Sequence, residues 1–138
     1  MNFDLTKVIK GKGLKVTPVR LTVFETLSRT KRPETVKNIY KKLKKDNIDL
    51  VTLYRTLATF EKNQLVKRVD LHKNVVYYEL NTEHHHHIVC TDCGRVEDFK
   101  FCNMNNLVKK IVANASYFKD VQDHDFEIFG ICNACVKN

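Results

Sequence analysis

Five cysteines supply the strongest chemical signal in this sequence. Four of them form two CxxC motifs, Cys90 with Cys93 and Cys132 with Cys135, and 38 residues separate the motifs. Each motif holds two thiolates on one tight turn, and two such pairs can surround a zinc ion tetrahedrally with no open position. In a reducing compartment this pattern indicates metal binding rather than disulfides. We expect a structural zinc at these four residues, and we expect the fifth cysteine, Cys102, to be an unpaired, half-buried thiol.

Four consecutive histidines, residues 84–87, precede the first CxxC motif. Alternate residues of a β-strand share a face, so His85 and His87 are predicted to point one way and their neighbours the other. Two histidines beside a carboxylate suit zinc, iron(II) or manganese(II), so we expect at least one reversible metal site. An expression tag or a solvated loop is the weaker explanation, because the run is internal and leads into a metal-binding strand. The candidate ligands are Glu79, His85, His87 and Asp98 for one face, and His84, His86 and His124 for the other.

The charge of the chain is divided unevenly. Its 138 residues carry a net charge of +8, with +10 in residues 1–80 and −2 in residues 81–138. A basic half joined to a metal-rich half indicates a polyanion-binding module joined to a control module, although a merely soluble basic surface is the alternative. The sequence has no run approaching the ~18 apolar residues of a spanning helix, and its first residues lack the order of a signal peptide. We therefore expect a cytoplasmic protein with no membrane partner.

Residues 1–80 read as three helices followed by a hairpin, after a short first helix at about 4–10. Thr17 before Pro18, Thr35 and Asp49 are predicted helix N-caps. The helix of about 49–62 presents Leu50, Leu53, Leu57 and Phe60 on one face, and β-like runs follow at 65–69 and 75–80. This order is typical of a winged helix-turn-helix domain, in which the helix of 49–62 reads the DNA major groove. The predicted DNA contacts are Thr52, Tyr54 and Arg55 on that helix, and Lys15, Thr17 and Arg20 at the backbone.

The rest of the chain reads as strand (86–90), turn, strand (95–99), helix (103–113) and strand (125–131). The predicted fold is therefore α+β. It comprises an N-terminal winged-helix DNA-binding domain (1–80), a hinge (81–84) and a small α/β metal-binding dimerisation domain with a four-cysteine zinc site (85–138). A domain of about 55 residues buries too little apolar surface to be robust alone, so we expect a metal staple or dimerisation.

Four motifs in this order resemble those of the ferric uptake regulator (Fur) family. They are residues 13–20 (GLKVTPVR), 52–57 (TLYRTL), 84–94 (HHHHIVCTDCG) and 124–130 (HDFEIFG). The resemblance implies a homodimeric, metal-dependent transcription factor, usually a repressor, that binds a palindromic operator. It also implies that the four paired cysteines hold structural zinc, that Glu79, His85, His87 and Asp98 form a regulatory site at the hinge, and that His84, His86 and His124 form a further site.

Two departures from the family pattern bear on these sites. Family members often supply a hinge ligand from a histidine before the third helix, but residues 31–35 (KRPET) contain none. Glu34 and His72 are candidate substitutes. The further site usually includes a glutamate at the position of Asn105, so three histidines and water would remain there.

The regulatory metal is predicted to be iron(II), because the hinge set contains no cysteine of the kind that zinc-sensing members often use. Zinc-, manganese- or peroxide-sensing regulation stays open, as does a zinc-stabilised protein that binds DNA constitutively. A metal-dependent enzyme is the alternative of a different class. We do not expect an enzyme or a small-molecule substrate, because the sequence offers no evident general base or glycine-rich substrate loop.

Overall fold

The computed structural model describes residues 4–136, and the chain divides into two compact units, Met1–Thr82 (unit 1) and Glu83–Asn138 (unit 2). The boundary lies between residues 82 and 83, within the span predicted as a hinge. The roles assigned to the two domains stay predictions. No helix among residues 4–136 is both long and apolar enough to cross a membrane.

Residues 4–82 of unit 1 contain four α-helices, and each begins after a capping residue. The side chains of Asp4, Thr17, Thr35 and Asp49 each accept a hydrogen bond from the backbone N–H three residues on. Such a cap satisfies one of the N–H groups that a helix leaves without an internal partner. The helices are α1 (Leu5–Gly11), α2 (Pro18–Ser28), α3 (Val36–Lys42) and α4 (Leu50–Lys62), with a 3-10 turn at Lys44–Asp46.

The core of unit 1 forms around the apolar face of α4. Leu53, Leu57 and Phe60 are fully buried, and the Phe60 ring meets Phe24 of α2 edge-on at 5.9 Å between centroids. Leu50 lies on the same face, as predicted, but it begins the helix and is 42% exposed. Burying a side chain of this size contributes roughly 1.5–3 kcal/mol, so this face largely fixes how α4 packs.

A three-stranded antiparallel sheet completes unit 1. Its strands β1 (Glu34–Thr35), β2 (Val66–Val69) and β3 (Tyr77–Leu80) lie in the order β1-β3-β2. The sequence did not predict β1, because a two-residue strand has no periodicity of its own. The third strand starts two residues later than predicted, since the chain is still turning at His72 and Asn74, whose φ angles are positive.

Unit 2 is a second three-stranded sheet with one helix. It comprises β4 (His86–Cys90), β5 (Val96–Phe99), α5 (Asn105–Asn114) and β6 (Glu127–Gly130), and β4 is central, antiparallel to β5 and parallel to β6. The helix α5 buries none of its residues. The buried residues described in unit 2 lie together at β4: His85, His86, His87, Val89 and Cys90. Most of this small core therefore consists of side chains that can bind metals.

Candidate metal centres and nucleic-acid interface

The four paired cysteines converge at one end of the second sheet. Cys90 ends β4 and the turn after it brings Cys93 alongside, while Cys132 and Cys135 lie on the turn that follows β6. The four sulfur atoms all lie within 4.8 Å of one another, and Cys93 Sγ is 3.7 Å from Cys132 Sγ. A tetrahedral zinc with Zn–S bonds of about 2.3 Å requires sulfurs about 3.8 Å apart. The spacing of the sulfurs therefore fits a four-thiolate zinc site.

Backbone hydrogen bonds shape the two turns that carry these cysteines. The Gly94 N–H donates to the Cys90 carbonyl at 3.0 Å, and Gly94 has a φ of 76°, which glycine adopts without strain. The Cys135 N–H donates to the Cys132 carbonyl at 2.9 Å. The Thr91 N–H joins the two segments by donating to the Gly130 carbonyl at 2.8 Å. Hydrogen bonds between backbone groups thus hold the two turns in positions that bring the four thiols together.

The pKa values of Cys90 and Cys135 are shifted in opposite directions. The backbone N–H groups of Cys93 and Cys132 lower the pKa of Cys90 to about 6, because they stabilise its thiolate. Hydrogen bonding to the Cys132 and Cys93 sulfurs raises the pKa of Cys135 to about 12, because it favours the protonated form. Negative charges held this close together repel one another, and a bound cation would offset that repulsion. Zinc would supply that charge, so the donor set suits the metal electrostatically as well as geometrically.

The alternation predicted for the histidine run is observed. The rings of His85 and His87 lie 5.0 Å apart between centroids, and both side chains are buried. Nδ1 of His85 donates to the Glu83 carbonyl at 2.7 Å, which places the lone pair of the neutral ring on Nε2. Asp98 lies directly across the β4–β5 ladder from His87 and is exposed. This face therefore carries two buried imidazoles and a neighbouring carboxylate.

A further carboxylate on this face was not singled out from the sequence. Glu127 of β6 pairs in register with His87, and its Oε1 lies 3.9 Å from Nδ1 of that ring. Carboxylates near the second nitrogen of a ligating histidine commonly fix its tautomer and orientation. Only the parallel pairing of β4 with β6 brings the two residues together, and no local sequence pattern signals it.

The remaining hinge candidates belong to unit 1. Glu79 lies buried on β3, with Lys67 Nζ 3.3 Å from its carboxylate. Glu34 is also buried, and its two oxygens accept hydrogen bonds from Lys42 Nζ at 2.8 Å and Asn38 Nδ2 at 3.1 Å. His72 lies exposed in the connection between β2 and β3. Glu34 is thus held within unit 1 by two partners, which makes it a poor substitute for the missing histidine ligand.

The other histidine face includes a cysteine that was not among its predicted ligands. His84, His86 and His124 lie with Cys102 in a group whose ligand atoms are all within 4.8 Å of one another. Cys102 is a free, half-buried thiol, as predicted, and its sulfur lies 3.0 Å from His124 Nε2. Asn105, the predicted position of the absent glutamate, is the exposed first residue of α5.

The predicted DNA contacts lie on α2, on the segment before it and on α4. Tyr54 is 52% exposed and Arg55 is also exposed, whereas Thr52 is half-buried. Thr17 uses its hydroxyl to cap α2, and Arg20 Nη1 donates to the Lys15 carbonyl at 2.7 Å. The exposed face of α4 therefore presents an aromatic and a guanidinium group, the second of which can read guanine in a major groove.

Known proteins resemble this chain over most of its length. The model of the ferric uptake regulator family matches residues 11–129. The chain is 30% identical over 129 residues to the peroxide-responsive repressor PerR of Staphylococcus aureus strain Mu50, across 92% of this chain and 86% of that protein. The structure resembles the Vibrio cholerae ferric uptake regulator with a TM-score of 0.76 and 33% identity, covering 94% of this chain and 100% of that one. It also resembles the Helicobacter pylori ferric uptake regulator, described as having three functional metal-binding sites, with a TM-score of 0.76 and 28% identity over 97% and 90% of the two chains.

Proposed function

Because this chain belongs to the ferric uptake regulator family, as its sequence motifs predicted, we propose that it is a metal-dependent transcriptional regulator. In this proposal it acts as a repressor, and a homodimer binds a palindromic DNA operator. The observation that carries the proposal is the position of the candidate hinge ligands along the chain. Glu79 lies in unit 1, whereas His85, His87 and Asp98 lie in unit 2, so a metal bound by all of them constrains the linker between the units.

The proposed mechanism is a shift of population between domain arrangements. Glu79, His85, His87 and Asp98 hold the regulatory metal, which supplies positive charge that offsets the buried carboxylate and links the ligands. The restricted linker then favours the arrangement in which two α4 helices, one from each protomer, fit successive major grooves. Couplings of this kind are typically ~1–3 kcal/mol, so metal loading should tighten operator binding by about 5- to 150-fold.

The four paired cysteines have a separate role in this mechanism. Cys90, Cys93, Cys132 and Cys135 hold a structural zinc that keeps unit 2 folded whether or not the regulatory site is filled. In the proposal their zinc is not the signal.

We propose iron(II) as the regulatory metal. The candidate ligands are imidazoles and carboxylates, which suit iron(II) and manganese(II), and the set includes no thiolate. Peroxide sensing is the main alternative, since one relative is a peroxide-responsive repressor. Zinc could occupy the same ligands in vitro, because it binds such sites more tightly than iron(II) or manganese(II) does.

On the DNA side, Thr52, Tyr54 and Arg55 are proposed to contact bases, and Lys15, Thr17 and Arg20 to contact phosphates. The concentration of basic residues in unit 1 supports this, because phosphate neutralisation provides much of the affinity of DNA-binding proteins. Operator binding should therefore weaken steeply with salt. The relatives reported above are named as regulators and a repressor, which favours DNA binding over an enzymatic role.

The test is operator affinity with and without the regulatory metal. Random DNA duplexes are first enriched on the metal-loaded protein, and the enriched duplex is titrated anaerobically with iron(II), or in air with manganese(II). A chelator that leaves one zinc per protomer should weaken binding within the range given above. The paired variant His85→Ala with His87→Ala should bind as weakly as the chelated protein, while Lys109→Ala, an exposed residue of α5 outside the candidate sites, should respond to metal normally.

The second candidate, a constitutive DNA-binding protein stabilised by zinc, predicts a different result. It is favoured by the missing histidine in residues 31–35. In that case the paired histidine variant would bind the duplex as tightly as the unaltered protein, with or without added metal.

A further inference from the structure

We propose that Cys102 is a metal ligand, and that with His84, His86 and His124 it forms a second closed zinc site inside unit 2. From the sequence, three histidines and a water molecule were expected on this face. The structure adds a thiol to them, and all four ligand atoms lie within 4.8 Å of one another. The inference concerns unit 2 alone and does not depend on DNA binding or on the hinge ligands.

The distances within the cluster are close to those of a bound ion. His84 Nε2 and His86 Nε2 are 3.0 Å apart, and Cys102 Sγ and His124 Nε2 are also 3.0 Å apart. Tetrahedral zinc, with Zn–N bonds near 2.05 Å and a Zn–S bond near 2.3 Å, needs separations of about 3.3 Å and about 3.5 Å. Each observed separation is therefore within about half an ångström of the required value, which small side-chain rotations can supply.

The surroundings of the cluster hold its rings in place. Phe126 stacks on His86 at 4.0 Å between ring centroids, and His86 is only 1% exposed. Asp123 lies 3.8 Å from Nδ1 of His84, on the opposite side of that ring from the nitrogen that faces the cluster. Neighbours that orient ligating histidines in this way are a regular part of metal sites. One contact opposes binding, since the Phe126 N–H donates to His86 Nδ1 at 3.3 Å and this long bond would have to break.

The thiol changes the metal that this face should prefer. Three imidazoles and one thiolate form a soft, four-coordinate set that suits zinc, or cobalt(II) in its place, better than iron(II) or manganese(II). With four protein ligands no position stays open, so the site should hold its zinc as a structural metal does.

The proposed site would also anchor the segment that contains α5. Cys102 lies just before α5 and His124 lies ten residues after it, whereas α5 itself buries none of its residues. A metal that joins these two residues to His84 and His86 would close the segment containing α5 against β4. Loss of this metal should therefore loosen α5 while the four-cysteine site stays intact.

The first test uses the unaltered protein, so it does not depend on a variant folding. Protein holding one zinc per protomer in the four-cysteine site is titrated with cobalt(II). The candidate hinge ligands contain no thiol, so a sulfur-to-cobalt charge-transfer band accompanied by tetrahedral cobalt absorption would report Cys102. If cobalt binds without that band, the proposal is overturned.

The second test compares variants by zinc content, by zinc affinity and by hydrogen exchange of α5. Cys102→Ser should abolish the charge-transfer band and lower the zinc affinity of the proposed site by more than about tenfold. It should also speed amide hydrogen exchange across α5. Cys102→Asp should keep a fourth ligand but shift preference toward manganese(II), because oxygen is a harder donor. His72→Ala should behave as the unaltered protein. Equal zinc affinity in Cys102→Ser and the unaltered protein would overturn the assignment. Neither test measures operator binding, so both are independent of the proposed function.

Discussion

The interiors of the two units are built from different kinds of side chain. Unit 1 has an apolar core to which its helices contribute, including the fully buried Ile9, Leu27, Ile39 and Leu57. Unit 2 buries a short stretch around β4 in which three histidines and a cysteine outnumber the apolar Val89. Hydrophobic burial can stabilise unit 1 without a ligand. The corresponding interior of unit 2 is made of groups that gain most from binding metals.

In the proposed function, this difference would let the molecule be both stable and responsive to metal. A domain with an apolar core keeps its shape when metal concentrations change, as the proposed DNA contacts of α4 would require. A domain whose interior consists of ligands changes its stability with metal occupancy. The proposed function therefore assigns the metal-dependent interior to unit 2 and the apolar core, which contains no metal ligand, to unit 1.

The largest effect is expected from removing the four-cysteine site. Cys132→Ser with Cys135→Ser should abolish tight zinc binding and unfold unit 2, because zinc contributes about 10–16 kcal/mol to the folding of small zinc domains. Hydrogen exchange of the full chain should show lost protection in β4, β5 and β6 and retained protection in α2 and α4. The comparison between units fails if unit 2 keeps its protection without zinc, or if α4 loses protection as well.

The same difference explains which elements the sequence could predict. The helices of unit 1 combine an apolar repeat with a capping side chain, as at Thr17, Thr35 and Asp49, and both signals are local. The histidine alternation was also predictable, because it follows from the pleat of a single strand. Leu50 shows what helical periodicity does not predict. The repeat gives the face on which a residue lies, but Leu50 in the first turn lies at the edge of the core and is exposed.

Contacts between distant segments could not be predicted in this way. Cys102 and His124 are brought together across α5, and Glu127 reaches His87 only because β6 pairs with β4 in parallel. The residues around each partner show no periodic sequence pattern that would predict either contact. The family resemblance directed attention to Asn105, while the residue that joins the cluster lies three positions earlier.

A core substitution in unit 1 should have the next largest effect. Phe60→Ala removes a fully buried ring that packs on Phe24, and such changes cost about 3–5 kcal/mol. Hydrogen exchange of peptides from α4 measures the loss, and zinc content should be unchanged. Leu50→Ala on the same helix is the matched control and should cost much less, because its side chain is 42% exposed. Zinc loss in Phe60→Ala would show that the two units are not stabilised separately.

A smaller effect is expected from an exposed residue of α4. Arg55→Ala should weaken binding to the enriched duplex by about 1–3 kcal/mol and relax its sequence preference, if the guanidinium reads a base. Fluorescence anisotropy at fixed salt measures both. Lys109→Ala removes the same charge from α5 of unit 2 and should leave affinity nearly unchanged. Equal losses in the two variants would mean that net charge, rather than the surface of unit 1, determines binding.

The smallest effect tests whether unit 1 depends on its helix caps. Thr35→Ala removes the hydroxyl that accepts the Asn38 N–H at 3.2 Å and should lower the free energy of unfolding of unit 1 by about 1 kcal/mol. Thr35→Ser keeps the hydroxyl and should recover most of that loss. The helix of unit 2 has no comparable bond, since Met104 at its N-cap makes no side-chain hydrogen bond. If Thr35→Ala instead changed exchange in α5 or the retention of zinc, stability would be shared between the units and the contrast drawn between them would be wrong.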